Sequence, residues 1–145
     1  MVDNFLTVRC SKCMVLNKMS PEALRTKGAR CGKCGMDFDF IKEPIHVSVS
    51  TFKKEVLSYP DVVLAVFWAE WCGACRTLEP ALNELAAKKA GRLKIAKIDV
   101  DQESILAKQY GVKVTPTMIL FNKGQKLNES TGALSLAQLE HWVGL

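Results

Sequence analysis

The chain has 145 residues, of which 48% are apolar, and a formal net charge of +5 at pH 7. This length has room for one ordinary domain and one small module, which excludes a larger assembly of domains. The modest positive charge is spread along the sequence, so the charge alone does not indicate nucleic-acid binding. No apolar run approaches the ~18 residues that are needed to cross a bilayer.

The first ten residues carry neither the basic n-region nor the apolar h-region of a secretory signal. We therefore expect a soluble, cytoplasmic protein, and a monomer, with no membrane partner. All six cysteines fall into three Cys-x-x-Cys pairs, with none left over. In a reducing compartment such pairs are more often metal ligands or catalytic dithiols than structural disulfides.

Residues 1–40 are predicted to form a small zinc-ribbon module. They hold few large apolar residues, so this segment needs a staple to fold. Residues 20–25, Ser-Pro-Glu-Ala-Leu-Arg, predict one or two helical turns. Two Cys-x-x-Cys pairs separated by 17 residues have the spacing of a four-cysteine ribbon that binds one structural Zn²⁺. Iron or two further redox dithiols are the alternatives to zinc, and the four predicted ligands are Cys10, Cys13, Cys31 and Cys34.

Residues 41–44 are predicted to be a linker, and residues 45–145 a second domain in which strand and helix patterns alternate. The order β-α-β-α-β-α-β-β-α predicts an α/β fold with a mixed central sheet flanked by helices. The predicted elements are a strand over 46–49, a helix from Ser50 to about Leu57, a strand over 62–68, a helix over 75–90 with a kink at Pro80, a strand over 93–98, a helix over 103–110, a hairpin over 117–121 and 125–130, and a final helix that Ser135 and Gln138 open as a capping box.

The third cysteine pair lies in Trp71-Cys72-Gly73-Ala74-Cys75, where the apolar strand ends and the longest helix begins. A helix N-terminus offers unpaired N–H groups and a partial positive charge, and both favour a thiolate over a thiol. Cys72 is therefore predicted to be the attacking thiolate, and Cys75, one turn later, the resolving thiol. The alternatives are a pair of buried structural thiols or part of a metal site.

Residues 45–145 resemble thioredoxin over their whole length. Several separate segments carry the resemblance: Phe67-Trp68-Ala69-Glu70-Trp71-Cys72-Gly73-x-Cys75, Pro80, Lys97-Ile98-Asp99-Val100-Asp101, Tyr110-Gly111-Val112, Thr115-Pro116-Thr117, Phe121-Asn122-Lys123-Gly124 and Thr131-Gly132-Ala133-Leu134. With the four-cysteine ribbon ahead of this domain, the entire chain resembles bacterial thioredoxins of the thioredoxin-2 type.

The resemblance implies the thioredoxin fold, no bound organic cofactor, and a flavin-dependent thioredoxin reductase using NADPH as electron donor. It also implies a cis peptide bond before Pro116, facing the cysteine pair. A substrate strand would then dock in a groove beside that pair. The residues implied at the groove are Trp71, Gly73, Ala74, Thr115, Pro116, Gly132 and Ala133. For Trp71, Gly132 and Ala133 the simpler interpretation is turn and packing chemistry.

Two positions depart from the family pattern. Thioredoxins usually carry a buried Asp six residues before the nucleophilic Cys, credited with helping proton transfer at the resolving thiol, and this chain has Val66 there. They usually have Pro before the resolving Cys, and this chain has Ala74. Water or Lys97 could replace the missing base.

The sequence therefore predicts a thiol-disulfide oxidoreductase that reduces protein disulfides. The same chemistry run as an oxidase or isomerase is one alternative, since only the redox potential differs. Another is a binding module whose ribbon docks on a protein or nucleic acid, with the thioredoxin part as scaffold. Nucleic acid is disfavoured because the ribbon has no basic run interleaved with aromatic residues.

Overall fold

The computed structural model describes residues 6–10, 12–19, 30–36 and 43–145. The helical turns predicted over 20–25 lie outside these residues. Near the N-terminus, strand β1 (Leu6–Arg9) pairs antiparallel with strand β2 (Leu16–Met19). This two-stranded ribbon brings the first cysteine pair into its connecting turn.

The other elements that the structure describes lie between residues 43 and 145, in the predicted order. Their five strands are β3 (Ile45–His46), β4 (Val62–Trp68), β5 (Leu93–Asp99), β6 (Thr117–Asn122) and β7 (Gln125–Thr131). In the sheet these strands lie in the order β3-β5-β4-β6-β7, with β3 and β4 parallel to β5, β6 antiparallel to β4, and β7 antiparallel to β6. The α/β class with a mixed sheet flanked by helices is thus confirmed. The helices are α1 (Val49–Phe52), which is continued by a π-helical segment (Lys53–Leu57), α2 (Gly73–Lys88), α3 (Ser104–Gln109) and α4 (Leu136–Val143).

Strand β4 is the centre of the core, because both faces of it are covered by helices. Alternate residues of a strand point to opposite faces, and a strand buried on both faces is continuously apolar. Val63 and Phe67 pack on the side that also holds residues of α1 and α3. Leu64 and Val66 pack on the other side, against residues of α2 and α4. The carboxyl end of β4 is therefore a rigid platform for the segment that follows it.

Helix α1 begins earlier than the sequence predicted. Strand β3 ends at His46, and Ser48 is the N-cap of α1, with its N–H donating to Thr51 Oγ1 at 2.9 Å. The predictions of a strand through Val49 and a helix cap at Ser50 were therefore wrong. The alternation of polar and apolar residues that suggested a strand is also compatible with a helix cap at Ser48 followed by Val49, whose side chain is 46% exposed.

The sequence analysis also did not predict the π-helical segment. The N–H of Ser58 donates to the carbonyl of Lys53, five residues back, at 2.7 Å. The carbonyl of Glu55 would need the N–H of Pro60 in the same pattern, and proline has none. Instead the Lys94 ammonium donates to that carbonyl at 3.1 Å and pairs with the Glu55 carboxylate. A side chain from β5 therefore completes the widened turn.

The predicted hairpin is present, with β6 and β7 joined by Lys123 and Gly124. Both turn residues have positive φ, 53° and 80°, as a type I′ turn requires. A Cβ atom built on Gly124 would lie 2.3 Å from the carbonyl oxygen of Leu57, so the turn touches the end of the π-helical segment. Helix α4 begins at the predicted capping box, and Pro80 lies inside the continuous helix α2. None of the helices among these residues has the length and apolar character to span a membrane.

Candidate functional site

The two cysteines of the third pair lie at the N-terminus of α2, directly after the loop that leaves β4. Cys72 is the N-cap of the helix, and the N–H of Cys75 donates to its Sγ at 3.1 Å. Both side chains are nearly buried, with 6% and 7% exposure. The sulfur of Cys72 therefore occupies the place that a capping oxygen takes in other helices.

The environment shifts the pKa values of these two thiols in opposite directions. Burial acts to raise the pKa of Cys72, but hydrogen bonds from the Cys75 thiol and from the N–H groups of Cys75 and Ala74 outweigh it, and its pKa is lowered. Burial raises the pKa of Cys75, and so does the hydrogen bond with Cys72. One thiol is thereby favoured as a thiolate while the other is kept protonated, the split expected of a nucleophile and its resolving partner.

The loop before β6 closes one side of the cysteine pair. The Thr115–Pro116 peptide bond is cis, as the resemblance implied. The Sγ of Cys72 contacts the carbonyl oxygen of Thr115 at 3.4 Å, and the N–H of Gly132 donates to the carbonyl of Pro116 at 2.9 Å. Two contacts therefore bring Thr115, Pro116 and Gly132, which are distant in sequence, to the side of Cys72.

The opposite side is formed by residues that flank Cys72 in the chain. Trp71 is 69% exposed, and its indole N–H donates to Asp101 Oδ2 at 2.8 Å, which fixes the ring at the surface. Gly73 and Ala74 are exposed, and a Cβ atom built on Gly73 would meet no atom within 4 Å. Ala133 is exposed as well. The surface around Cys72 is thus open to a partner, although Cys72 itself is almost covered.

Behind Cys75 lies a cavity of about 380 Å³. Val66 of β4, which is 1% exposed, lines it, and Lys97 of β5 lies beside Val66 in the parallel register. The Lys97 ammonium is 3.5 Å from Glu79 Oε1 and 4.5 Å above the ring centre of Trp68. Sequence reasoning did not single out Glu79. The available signal was its position four residues after Cys75, which places both on one face of α2.

The four cysteines near the N-terminus come together in one cluster. The sulfur atoms of Cys10, Cys13, Cys31 and Cys34 lie within 4.8 Å of one another. Two of the cross-pair separations are 3.6 Å and 3.5 Å. Tetrahedral zinc with Zn–S bonds of about 2.3 Å requires sulfur atoms about 3.8 Å apart. The cluster therefore fits a four-sulfur zinc site closely.

Each pair of this cluster sits in the same kind of turn. The N–H of Met14 donates to the carbonyl of Cys10, and the N–H of Gly35 to that of Cys31, both at 2.9 Å. Asn17 of β2 braces the second pair, because its Nδ2 lies 3.5 Å from Cys31 Sγ and its Oδ1 accepts from the N–H of Gly32 at 2.8 Å. Such outer hydrogen bonds orient metal ligands.

The thiols of the cluster also compete for ionisation. The N–H of Cys34 and the Asn17 amide lower the pKa of Cys31 to about 6. The N–H of Met36 acts to lower the pKa of Cys34, but desolvation and hydrogen bonds to the other three thiols raise it to about 11. Four thiolates this close repel one another, so a cation is needed to hold all four ionised.

Comparison with known proteins identifies relatives of the C-terminal part of the chain. A model of the thioredoxin family matches residues 43–144. Thioredoxin 1 of Nostoc sp. is 42% identical over 88 residues, which cover 61% of this chain and 82% of that protein. The thioredoxin of Haemophilus influenzae is 36% identical over 103 residues, covering 71% of this chain and 96% of the relative. A solved thioredoxin variant from Halobacterium salinarum superimposes with a TM-score of 0.63 and 39% identity, covering 70% of this chain and 88% of its own.

Proposed function

The chain belongs to the thioredoxin family, a family of thiol-disulfide oxidoreductases, and on that premise we propose that it reduces protein disulfides through Cys72 and Cys75. The observation that carries the proposal is the 3.1 Å hydrogen bond from the N–H of Cys75 to Cys72 Sγ, which stabilises one sulfur as a thiolate. The opposite pKa shifts of the two thiols give each a separate task.

The proposed reaction has two steps. The Cys72 thiolate attacks one sulfur of a substrate disulfide, forms a mixed disulfide and expels the other sulfur as a thiolate. Cys75 then loses its proton and attacks Cys72, which forms the Cys72–Cys75 disulfide and releases the second substrate sulfur. A thioredoxin reductase, the electron donor that the family implies, would return the pair to the dithiol.

We place the substrate strand in the groove beside Cys72. The exposed ring of Trp71 supplies apolar contact area on one side. The backbone around Thr115 and Pro116 supports the other side, with Gly132 and Ala133 next to it. Gly73 and Ala74 leave the approach to the sulfur unobstructed, since neither carries a large side chain.

For the N-terminal module we propose one structural zinc ion held by Cys10, Cys13, Cys31 and Cys34. Bound zinc would cross-link the two turns of the ribbon and neutralise part of the thiolate charge. A ribbon over residues 1–40, a linker over 41–44 and a domain over 45–145 would make the chain a thioredoxin of the thioredoxin-2 type. A monomeric state and a cytoplasmic location remain predictions.

Reduction of insulin by dithiothreitol or by a thioredoxin reductase with NADPH tests the proposal. The full chain should accelerate precipitation of the insulin B chain, and Cys72→Ser should not. Cys75→Ser should accumulate a covalent adduct between Cys72 and insulin, because the second step is blocked. If the full chain does not reduce insulin and the Cys75→Ser variant forms no adduct with it, the oxidoreductase proposal is wrong. The binding-module alternative then gains support.

A further inference from the structure

We propose that the Glu79 carboxylate accepts the proton that Cys75 loses when it attacks the mixed disulfide, and that Lys97 positions this carboxylate. The inference rests on the proposed function, because it concerns the second step of that reaction. Glu79 lies on α2 and lines the cavity behind Cys75.

The second step needs a base because Cys75 is protonated at rest. Its side chain is 7% exposed, and burial raises the pKa of its thiol. Only a thiolate attacks a disulfide at a useful rate. The thiol must therefore transfer its proton as the attack proceeds.

Glu79 is placed to receive that proton. It follows Cys75 by one turn of the same helix, which sets their Cβ atoms about 5–6 Å apart. A general base must be within hydrogen-bond reach of the proton or connected to it through one water. The cavity that both residues line measures about 380 Å³, so it has room for such a water. Trp68 lines the same cavity.

Lys97 holds the carboxylate toward the cavity. Its ammonium is 3.5 Å from Glu79 Oε1 and lies over the Trp68 ring at 4.5 Å. The Lys97 side chain is 13% exposed, whereas that of Glu79 is 53% exposed. The lysine is therefore the fixed partner of this ion pair, and it draws a partly exposed side chain inward.

The other charged groups that line the cavity fit the role less well. Arg76 is permanently protonated and cannot accept a proton. Its guanidinium donates to the carbonyl oxygen of Glu70 at 3.1 Å. Glu70 lies before the helix, outside the face shared by Cys75 and Glu79. Position 66 is a valine, so β4 supplies no carboxylate.

The step is balanced within these groups. The proton of Cys75 passes to the Glu79 carboxylate, directly or through one water, while Cys75 Sγ bonds to Cys72 Sγ. The bond between Cys72 and the substrate sulfur breaks, and the substrate leaves as a thiolate. That thiolate takes a proton either from the Glu79 carboxylic acid or from solvent. In the second case Glu79 releases its own proton to solvent, so both routes restore the carboxylate.

The test separates the two steps with glutathione disulfide as the probe. The reduced full chain is mixed with glutathione disulfide, and release of the first and second glutathione is followed by rapid quench between pH 5.5 and 10. The variants are Glu79→Gln, which keeps the shape and removes the base, and Glu79→Asp, which keeps a carboxylate. Glu84→Gln is the control, because Glu84 is an exposed carboxylate on the same helix that does not line the cavity.

At neutral pH, Glu79→Gln should slow release of the second glutathione at least about tenfold, given that general-base catalysis contributes about a hundredfold or more. The difference should vanish at high pH, where Cys75 ionises unaided. Glu79→Asp should retain part of the rate, and Glu84→Gln all of it. An unchanged second step in Glu79→Gln, or an equal slowing at every pH, would overturn the role of Glu79. Failure of the wild-type chain to release even the first glutathione would instead overturn the proposed function.

Discussion

The backbone N–H of Cys75 donates to the sulfur of Cys72 at 3.1 Å, so the N-terminus of helix α2 stabilises Cys72 as a thiolate. Burial acts to raise the pKa of Cys72, but the Cys75 thiol, the Thr115 side chain and the N–H groups of Cys75 and Ala74 together lower it. We predict that Cys72 reacts with iodoacetamide with a pH midpoint below the ordinary thiol value of about 8.5. Mass spectrometry of the peptide that contains Cys72 measures this rate.

The variant Cys75→Ala should shift that midpoint upward, because it removes the thiol hydrogen bond and keeps the N–H. The lowered pKa of Cys72 also makes the stability of the folded protein depend on pH. The folded, reduced protein gains stability above the ordinary thiol pKa, and this gain is lost as the pH falls through the lowered pKa of Cys72. Equal midpoints for Cys72 and a free cysteine peptide would contradict the prediction.

Replacing Ala74 by proline should make the protein a stronger reductant. Proline has no N–H, so Ala74→Pro removes one donor that lowers the pKa of Cys72, while the N–H of Cys75 remains. A net contribution of about 0.5–1.5 kcal/mol for one hydrogen bond corresponds to roughly 10–30 mV. Equilibration with glutathione buffers should show a lower reduction potential together with a higher Cys72 pKa. A potential that stays constant or rises in Ala74→Pro contradicts this explanation.

Replacing Val66 by aspartate should destabilise the protein in a pH-dependent way. Val66 is 1% exposed and lines the cavity behind Cys75, so an ionised carboxylate there loses most of its hydration. We expect a loss of about 2 kcal/mol or more at pH 7. Burial raises the pKa of such a carboxyl, so the loss should shrink as the pH falls below that raised value.

Urea unfolding of the reduced protein at pH 5 and pH 7.5 measures this effect. Val66→Asn is the matched control, since it is polar without ionising, and its cost should be the same at both pH values. Val66→Asp should also add an ionisation to the pH profile of mixed-disulfide resolution. If neither the stability nor that profile changes, Val66 does not belong to the site of the resolving thiol.

The four-cysteine cluster should contain one zinc ion per chain. Its sulfur atoms lie within 4.8 Å of one another, which suits tetrahedral coordination. Elemental analysis of protein purified without added metal measures the content. Removal of the metal by a chelator at low pH should unfold the ribbon, seen as loss of amide protection in hydrogen exchange over residues 6–19. Iron in place of zinc, or four free thiols in a folded ribbon, would contradict this assignment.

Asn17 should tune the affinity of that site without being a ligand. Its amide contacts Cys31 Sγ at 3.5 Å and accepts from the N–H of Gly32 at 2.8 Å. Loss of such support typically lowers metal affinity about 10- to 100-fold. Asn17→Ala should show this loss in competition with a chromogenic chelator, with one zinc still bound at saturation. Asn17→Asp is the control, because it keeps the acceptor for Gly32.

The sequence predicted the central strands and the helix that carries Cys75, because side chains of regular strands and helices are buried in a periodic pattern. Val62–Trp68 is apolar throughout since both faces are covered. Because this strand ends just before the third Cys-x-x-Cys pair, the sequence placed the start of the helix at that motif. The predicted range began at Cys75, whereas the helix begins at Gly73 with Cys72 as its N-cap. The hairpin was predicted with Asn122-Lys123-Gly124 as its connection, whereas in the structure Asn122 belongs to β6 and the turn is Lys123-Gly124. Glycine signals a turn because it accepts positive φ, but the positive φ of Lys123 has no such signal.

What the sequence did not predict depends on contacts between distant residues. The π-helical turn is completed by Lys94, which comes from a strand about forty residues later. The pairing of Glu79 with Lys97 likewise joins a helix to a strand, and nothing in the local sequence indicates that these two residues are neighbours. Asn17 looks like an ordinary strand residue until its amide is found beside Cys31. Local periodicity carries no information about such pairs.

Two glycines of this chain differ in how freely they could vary. At Gly124 any other residue would force its Cβ into the Leu57 carbonyl, 2.3 Å away, so a saturation library should recover only glycine among folded proteins. At Gly73 the backbone has no positive φ and the space is empty, so the same library should yield many folded chains. Glycine at position 73 is therefore not demanded by the architecture. If it is favoured when the library is sorted for turnover, the selective pressure comes from the incoming substrate chain.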